Sequence, residues 1–399
     1  MNVFIIPSWY PDRNSIISGI FVKEQAEALA DSYPEHNFIL SNCENFYLSI
    51  TKPAEFIKVY RQHSKAESII KDKSKNLTEL YKPALTWTGK FKGDIKNIVK
   101  AHLENFNYAR KKFGAMDIIH SHSAYPGGYS AMIISRESKI PYVVTEHMAP
   151  FPFESYLING KLSDNVSLPL VNADGIIAVS NFQAERIKSF GIKQPVVIPN
   201  VVNEEEFKAD QARSPNTKIK FLTVTTFIER KGIEELLAAI LNCNDKCKDC
   251  EFTIAGTGHL ENYIENFISD NSLGGKVILI KDPSREEIVR LYKQCDIFIL
   301  TSRLESFGIV YVEALACGKP VIATDCGGPR DFMHDKTGLL VEVGNVNEIS
   351  NAILKMASGH KKYDPLNIRN FFMDNFSRQI VCEKIISYYK KILLQNVPT

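Results

Sequence analysis

The sequence lacks a long apolar run. No stretch of its 399 residues approaches the ~20 uninterrupted apolar residues that a membrane-spanning helix needs. It also lacks a strong excess of charge, since 48 Lys and Arg residues and 46 Asp and Glu residues leave a formal net charge of +2. With 44% hydrophobic and 24% charged residues, the composition excludes intrinsic disorder and the global charge of a nucleic-acid-binding protein.

Signals for export are also missing. Residues 1–7 hold one short apolar run without a basic leader or a small-residue cleavage site, so we interpret them as a first strand and not as a signal peptide. The eight scattered cysteines are therefore expected to be reduced thiols of a cytoplasmic protein. Cys243, Cys247 and Cys250 lie close in sequence, but a zinc site there lacks a fourth ligand, and we expect incidental thiols.

Short apolar runs alternate with longer helix-periodic segments, which is typical of an α/β protein with parallel sheets. The same alternation of strands and helices begins again in the second half of the chain, and the length of the chain suits two or three domains. The predicted strands are residues 2–6, 36–41, 117–121, 142–145, 175–179 and 195–198, then 220–224, 251–255, 276–280, 297–300, 321–323 and 338–341. The predicted helices of the first half are residues 19–31, 95–113 and 128–138.

The polar residues 203–216 separate the two halves and are interpreted as a linker. We therefore predict two Rossmann-like, doubly wound domains over residues 1–202 and 217–376, and a C-terminal helix within 377–399 that packs back toward the first domain. Ligands of open α/β sheets bind at the carboxyl ends of the strands, so we expect a cleft where the two sets of loops face each other.

The segment 295–324 is the most informative part of the sequence. It predicts a buried strand, a polar loop ending in Phe307 and Gly308, a helix, a glycine break and a second buried strand. Glu305 lies in the loop, and Glu313 lies eight positions later on the helix. A helix N-terminus suits a phosphate, and carboxylates suit sugar hydroxyls, so the pattern favours a nucleotide sugar. An isolated pair of glutamates at this spacing is more often a solvated surface loop, and the strand–loop–helix context argues against that alternative.

These residues resemble the family-4 glycosyltransferases, which are retaining nucleotide-sugar enzymes of the GT-B fold. The resemblance covers nearly the whole chain. It implies that Glu305 faces the donor sugar and that Glu313 binds the ribose hydroxyls. It also implies that the backbone amides of four loop residues contact the sugar and the phosphate; these residues are Ser306, Phe307, Gly308 and Ile309.

Further segments of the second half fit the same resemblance. Lys231 matches the lysine that holds the pyrophosphate, whereas Thr226 stands where the family has an arginine, and the adjacent Arg230 is expected to point elsewhere. Gly256 and Gly258 match a glycine pair that follows a strand beside the nucleotide. Residues 281–283, beginning with Lys281, are expected near the base, and residues 326–332 contain Asp331 in place of a glutamate, to which we assign no role.

The first half contributes a glycine loop and a histidine. Gly19 matches the glycine whose backbone approaches the donor phosphates, and Trp9 and Tyr10 of the same segment are assigned to the acceptor side. His147 matches the histidine close to the reacting sugar, although a lone loop histidine is otherwise more often structural. His122 is expected to shape the acceptor pocket.

The sequence therefore predicts a retaining glycosyltransferase with His147, Glu305 and Lys231 as its catalytic residues. The expected reaction moves a sugar from a UDP- or GDP-sugar to a glycan or lipid-diphosphate-linked glycan in the synthesis of a bacterial-type surface polysaccharide. No Asp-x-Asp motif follows a strand, so fixed positive groups are expected to stabilise the leaving diphosphate, with no metal, no other cofactor and no nucleic-acid partner. The alternatives are an epimerase or phosphorylase on the same scaffold and a non-enzymatic sugar-binding protein.

Residues 52–112 are strongly basic within this near-neutral chain. They hold 15 Lys and Arg against 6 Asp and Glu, a local excess of +9. Aromatic residues are interleaved with these lysines, namely Tyr81, Trp87, Phe91 and Phe106. This pattern fits an anionic membrane surface on the cytoplasmic side, and a solvated helical face fits equally well.

Overall fold

The computed structural model describes residues 1–11, 18–49, 53–88, 94–208 and 218–396. Their contacts divide the chain into two compact units. Unit 1 comprises Met1–Val179, Ala184–Val201 and Val381–Thr399, and unit 2 comprises Ser180–Gln183 and Val202–Ile380.

The strands of unit 1 are β1 Asn2–Pro7, β2 Asn37–Asn42, β3 Asn45–Ser49, β4 Ile69–Ser74, β5 Leu77–Tyr81, β6 Ala84–Thr88, β7 Ile118–His122, β8 Tyr142–Glu146, β9 Leu157–Ile158, β10 Lys161–Leu162, β11 Gly175–Ala178 and β12 Val196–Val197. Eight of them form one sheet in the order β12-β11-β8-β7-β1-β2-β5-β4. All neighbours in that sheet run parallel except the edge pair of β4 and β5. The parallel pair of β3 and β6 and the hairpin of β9 and β10 form two smaller sheets.

The strands of unit 2 are β13 Ile219–Thr226, β14 Cys250–Thr257, β15 Val277–Lys281, β16 Ile297–Leu300, β17 Val321–Thr324 and β18 Gly338–Val341. They form one fully parallel sheet in the order β15-β14-β13-β16-β17-β18. A parallel sheet needs crossovers that cover its faces, and helices supply them in both units. The predicted doubly wound α/β fold is confirmed.

The helices are α1 Ile20–Ser32, α2 Pro53–Lys65, α3 Asp94–Phe113, α4 Tyr129–Ser138, α5 Asp164–Val171, α6 Asn181–Lys188, α7 Ile233–Asn242, α8 Glu261–Asp270, α9 Arg285–Gln294, α10 Ile309–Ala316, α11 Val346–Gly359, α12 Pro365–Phe376 and α13 Arg378–Gln395. Every predicted strand and helix is present, with ends displaced by one or two residues at most places. The prediction missed the elements α2 and β3 to β6, which lie between residues 45 and 88, and it also missed β9, β10, α5 and α6.

Strand β1 shows why the sheet of unit 1 is covered on both faces. Successive side chains of a strand point to opposite faces. Phe4 and Ile6 accordingly belong to one buried cluster, and Val3 and Ile5 belong to the other. The second cluster also contains the buried face of α13, whose residues from Val381 onward belong to unit 1.

Two expectations about individual residues need correction or refinement. Cys247 and Cys250 are bonded to each other as a disulfide, so the expectation that all eight cysteines are reduced thiols is wrong for this pair. The described part of the predicted linker, residues 203–208, is anchored in unit 2, where Phe207 is fully buried and packs edge-to-face on Tyr292. Its remaining residues, 209–216, lie outside the described part of the chain.

Within the described ranges, no helix is both long enough and apolar enough to cross a bilayer.

Candidate functional site

The loop between β16 and α10 holds the buried carboxylate of Glu305. Oε1 of Glu305 accepts a hydrogen bond from Lys231 Nζ at 2.6 Å and another from Ser302 Oγ at 2.7 Å. The backbone of Glu305 is fixed as well, because its N–H donates to Cys326 O and its carbonyl accepts from Gly328 N, each at 3.0 Å. Two predicted catalytic residues of unit 2 are thus in direct contact.

Gly308 allows this loop to turn into α10. Its φ of 85° lies in the left-handed region, and it caps the N-terminus of the helix. A Cβ atom at this position would lie 2.5 Å from the ring of Tyr311. Phe307 is buried beside it, while Ser306 accepts a hydrogen bond at its carbonyl from Ser180 Oγ. Ile309 is the first residue of the helix, so the loop delivers free backbone N–H groups at the end of β16.

Glu313 lies one turn further along α10 and is paired with an arginine. Its Oε1 accepts from Arg285 Nη1 at 3.0 Å. Burial raises the pKa of the Glu313 carboxyl above its usual value, and the charge of Arg285 partly opposes that rise. Arg285 also donates from Nε to Glu206 Oε2 at 3.1 Å and lies 4.7 Å above the ring of Phe207. Sequence reasoning missed Arg285, which follows the predicted base-binding residues 281–283 but belongs to no motif.

The turn after β13 brings two cations to the loop of Glu305. Lys231 reaches Glu305, and the preceding Arg230 donates from Nη1 to Leu304 O at 3.2 Å. Arg230 was expected to point elsewhere, and it reaches the neighbouring residue of the same loop. Thr226, at the end of β13, is exposed and carries no charge.

The remaining predicted donor residues line the ends of β14 and β15. A Cβ on Gly256 would lie 1.8 Å from Thr225 O in β13, and one on Gly258 would lie 2.4 Å from Phe227 O just after that strand, so both glycines pack tightly against backbone. Lys281 is paired with Glu265 and is not in contact with the loop of Glu305. Asp331, to which no role was assigned, accepts at Oδ2 from Asn181 N at 2.6 Å.

Unit 1 holds a buried group of histidines at the ends of β7 and β8. His122 Nδ1 lies 3.0 Å from His147 Nε2, and the two rings stack with centroids 5.2 Å apart. His120 lies beside His122 and contacts Thr145 Oγ1 at 2.7 Å and the hydroxyl of Tyr389. Burial lowers the pKa of His120 and of His147 to about 3, and it holds the pKa of His122 well below its usual range. These imidazoles are therefore neutral at physiological pH.

Glu146 holds the backbone beside His147 and was not singled out from the sequence. Its fully buried carboxylate accepts from the N–H groups of His147 at 2.7 Å, Met148 at 2.9 Å and Ala124 at 2.9 Å. Burial raises the pKa of this carboxyl, and the three hydrogen bonds oppose that rise. Glu146 thus positions the His147 turn.

The glycine loop borders a cavity in unit 1. Gly19 has a φ of 64°, and a Cβ there would lie 2.1 Å from Trp9 O, so only glycine fits. The cavity has a volume of about 370 Å³, and its lining includes both predicted acceptor residues, Trp9 and Tyr10. Three more tyrosines and several polar side chains complete much of the wall; they include Tyr47, Tyr125, Tyr156, Asn42, Glu44 and Asn45.

The potential metal ligands of the described residues do not cluster. Within residues 1–11, 18–49, 53–88, 94–208 and 218–396, no group of three or more His, Cys, Asp or Glu side chains is arranged to hold a metal ion.

Two protein families match this chain. Residues 204–369 match the family described as "Glycosyl transferases group 1", and residues 80–206 match "Glycosyltransferase Family 4". An uncharacterized glycosyltransferase of Methanocaldococcus jannaschii is 29% identical over 304 residues, which are 76% of this chain and 81% of the relative. One component of human phosphatidylinositol N-acetylglucosaminyltransferase is 27% identical over 288 residues, which are 70% of this chain and 58% of the human protein.

Solved structures show the same fold. Sucrose-phosphate synthase of Thermosynechococcus elongatus superposes with a TM-score of 0.77 at 20% identity, over 99% of this chain and 100% of that one. HepE of Anabaena, in complex with UDP and glucose, superposes with a TM-score of 0.68 at 18% identity, over 98% and 99% of the two chains. The two parallel-sheet units are those of a GT-B fold.

Proposed function

The chain belongs to the family-4 glycosyltransferases, and on this premise we propose that it is a retaining enzyme that uses a UDP- or GDP-sugar. The acceptor we propose is a glycan or a lipid-linked glycan of a bacterial-type surface polysaccharide. The ion pair of Lys231 and Glu305, 2.6 Å long, carries the proposal. This ion pair lies at the N-terminus of α10, where Lys231 is a cation suited to a diphosphate and Glu305 is a carboxylate suited to sugar hydroxyls.

Leaving-group stabilisation is the main contribution of these residues. As the bond between the anomeric carbon and the diphosphate oxygen breaks, negative charge builds on the diphosphate, and Lys231 and the N–H groups at the start of α10 oppose it. Fixed positive groups of this kind supply the charge stabilisation that a metal supplies in other enzymes. We propose on this basis that transfer needs no metal.

Retention follows from front-face attack in this proposal. The acceptor hydroxyl forms the new bond to the anomeric carbon on the face that the diphosphate leaves, and its proton passes to the departing phosphate oxygen. Glu305 is poorly suited to be a nucleophile, because its Oε1 already accepts from both Lys231 and Ser302. His147 acts as a neutral hydrogen-bonding group in this scheme, since burial holds its pKa at about 3.

The cavity of unit 1 is the proposed acceptor site. Its aromatic side chains, among them Trp9 and Tyr10, offer flat surfaces for sugar rings, and Glu44 and Asn42 offer hydrogen-bonding groups for hydroxyls. Asn45 Oδ1, on the same wall, is buried and has no hydrogen-bond partner within the described residues, so it is available to a hydroxyl donor. Acidic and amide groups beside aromatic rings fit the glycan part of the acceptor.

Helix α2 is the proposed contact with an anionic membrane. Of the aromatic residues expected to mark a membrane surface, Phe106 is buried against Phe4 and Tyr81 donates to Glu44, so neither is available. The Trp87 side chain and all of Phe91 lie outside the described part of the chain. Exposed apolar side chains lie instead on α2, at Phe56, Ile57 and Tyr60, with exposures of 37%, 52% and 53%.

Cations accompany these apolar side chains on α2. Lys58, Arg61 and Lys65 are exposed, and none has an acidic partner within the described ranges. An exposed apolar face flanked by unpaired cations is typical of helices that lie on anionic lipid. The human relative, whose name includes phosphatidylinositol, is consistent with a lipid-linked acceptor.

A donor panel tests the proposal. Purified protein is incubated with UDP-, GDP- and ADP-sugars, release of the nucleoside diphosphate is measured with and without EDTA, and the anomeric configuration of the product is read by NMR. We expect the enzyme to use one of these donors, to be unaffected by EDTA and to retain the anomeric configuration.

Lys231→Met and Glu305→Gln should each lower kcat by about 100-fold or more. Arg290→Gln, which removes an exposed ion pair with Glu287, is the matched control. Unchanged release in both site variants would refute the proposal.

A further inference from the structure

The diphosphate site assigned to Lys231 is short of positive charge. A nucleoside diphosphate sugar brings about two negative charges, and more develops on the diphosphate as the sugar leaves. Lys231 is the cation expected there, but its ammonium already faces the carboxylate of Glu305 at 2.6 Å. Thr226, which stands where the family resemblance predicts an arginine, adds no charge. A second cation is therefore needed.

Several cations of unit 2 already face carboxylates. Four examples are Arg285 with Glu313, Arg303 with Glu234 and Glu235, Lys281 with Glu265, and Arg330 with Asp325. Arg230 differs, because within the described residues its side chain contacts a carbonyl and no carboxylate. In the part of the chain that the structure describes, no carboxylate pairs with its charge.

Arg230 is also held in the right part of the fold. It precedes Lys231 in the turn Glu229–Lys231, and the two side chains reach consecutive residues of one loop, Leu304 and Glu305. The loop and the turn are joined a second time, because Arg303 N donates to Arg230 O at 2.8 Å. The guanidinium is thereby tethered beside Glu305 by one hydrogen bond, and its other N–H donors remain for a ligand.

We propose that Arg230 is the second diphosphate-binding cation of this enzyme and takes over the charge that Thr226 does not supply. This rests on the proposed function. A guanidinium binds phosphate oxygens in a bidentate manner, so Arg230 would bind the donor diphosphate in the ground state and more strongly as it departs. The half-buried position of Arg230 strengthens such an interaction relative to one in bulk water.

Binding of UDP and UMP to variants tests the assignment, with GDP and GMP used if the donor panel selects guanine. Arg230→Gln should weaken UDP binding by about 10- to 100-fold, which is the range for a lost hydrogen bond to a charged group. The same substitution should weaken the binding of UMP, which lacks the second phosphate, less than it weakens the binding of UDP. Arg230→Lys should retain part of the UDP affinity, because it keeps the charge and loses the bidentate geometry.

Arg303→Gln is the matched control. Arg303 lies on the same loop, is more exposed and already faces two glutamates, so its loss should leave UDP binding within about two-fold. Thr226→Arg in the Arg230→Gln background should recover UDP affinity, since it returns a cation at the end of β13. Thermal unfolding shows whether each variant is folded. If Arg230→Gln is unstable, the binding comparison is made with Arg230→Lys.

The outcomes separate this inference from the proposed function. If Arg230→Gln binds UDP like Arg303→Gln while Lys231→Met loses affinity, the assignment of Arg230 is overturned and the proposed function stands. If neither Arg230→Gln nor Lys231→Met changes UDP binding, both are overturned. A loss of UDP affinity in Arg230→Gln that exceeds its loss of UMP affinity supports the assignment, because a general distortion of the site would weaken both nucleotides alike.

Discussion

Arg285 Nη1 donates to Glu313 Oε1 at 3.0 Å, which places a positive charge beside a buried carboxylate. Burial raises the pKa of Glu313 and the guanidinium of Arg285 lowers it. A hydrogen bond from Tyr292 also lowers this pKa, and the negative charge of Glu206 raises it. Arg285 is therefore the positioning residue whose positive charge favours the ionised form of Glu313.

Arg285→Gln should make donor binding sensitive to acid. Without the guanidinium the pKa of Glu313 rises further, so the carboxyl becomes protonated as the pH falls and accepts ribose hydroxyls less well. We expect KM for the donor to increase by about 10-fold or more between pH 8 and pH 6, with kcat changed less. Glu206→Gln removes the other ion pair of Arg285 and is the control. Equal pH dependence of KM in both variants contradicts this role.

Gly308→Ala should destabilise the protein and impair transfer. The new Cβ would meet the Tyr311 ring at 2.5 Å in addition to the left-handed φ, which alone costs about 1 to 2 kcal/mol. The clash should add about 1 to 3 kcal/mol. Gly344→Ala is the matched control, because Gly344 has a similar φ of 77° and nothing within 4 Å of its Cβ position. Urea unfolding measures the free energy of unfolding of both variants. Equal losses of stability in Gly308→Ala and Gly344→Ala would contradict the clash with the Tyr311 ring.

Much of the fold could be predicted because its signals are local. Strand β16, helix α10 and the glycine at their junction are adjacent in sequence, so one segment predicts the loop that carries Glu305. The elements between residues 45 and 88 were missed for a physical reason. Strand β4 is exposed along its whole length and α2 exposes most of its side chains, so neither shows the burial pattern of a core element.

The sequence indicated candidate site residues where a motif matched the family, and it missed contacts whose residues belong to no motif. The match of Lys231 and Glu305 to the family predicted two side chains that the structure places 2.6 Å apart across 74 positions. Arg285 is different, because its partners Glu206 and Glu313 lie on separate elements and the sequence around it shows no pattern. The contact of Arg230 with Leu304 likewise depends on how the turn packs on the loop.

The buried histidines should make the protein sensitive to acid. Burial lowers the pKa of His102 to about 3, while an unfolded histidine titrates near 6.5. Between these values the unfolded state binds a proton that the native state does not, so stability present above pH ~6.5 is lost as the pH falls. Near pH 5, each such histidine makes the free energy of unfolding fall by about 1.4 kcal/mol for each pH unit of acidification.

Replacement of His102 by Gln isolates one of these contributions. His102 lies 2.8 Å from Ser41 Oγ in unit 1, outside the predicted site, and glutamine can keep a hydrogen bond there. Urea unfolding between pH 4.5 and 6 should show a slope shallower by about 1.4 kcal/mol per pH unit than that of the parent protein. A parent slope retained in His102→Gln would contradict a neutral buried imidazole.

Helix α2 should attach the protein to anionic vesicles in a salt-sensitive manner. Lys58, Arg61 and Lys65 should each contribute about 1 kcal/mol to binding at a surface rich in phosphatidylglycerol, and 0.5 M salt should screen most of it. In flotation assays, Lys58→Glu with Arg61→Glu should abolish binding, and Ile57→Asp should weaken it by removing an exposed apolar contact.

Leu366→Asp, at a residue of unit 2 that is 64% exposed, controls for the loss of any surface apolar side chain. Flotation that is equal for phosphatidylcholine and phosphatidylglycerol, or unaffected by the α2 variants, would exclude α2 as the membrane contact, because its unpaired cations are the feature that selects an anionic surface.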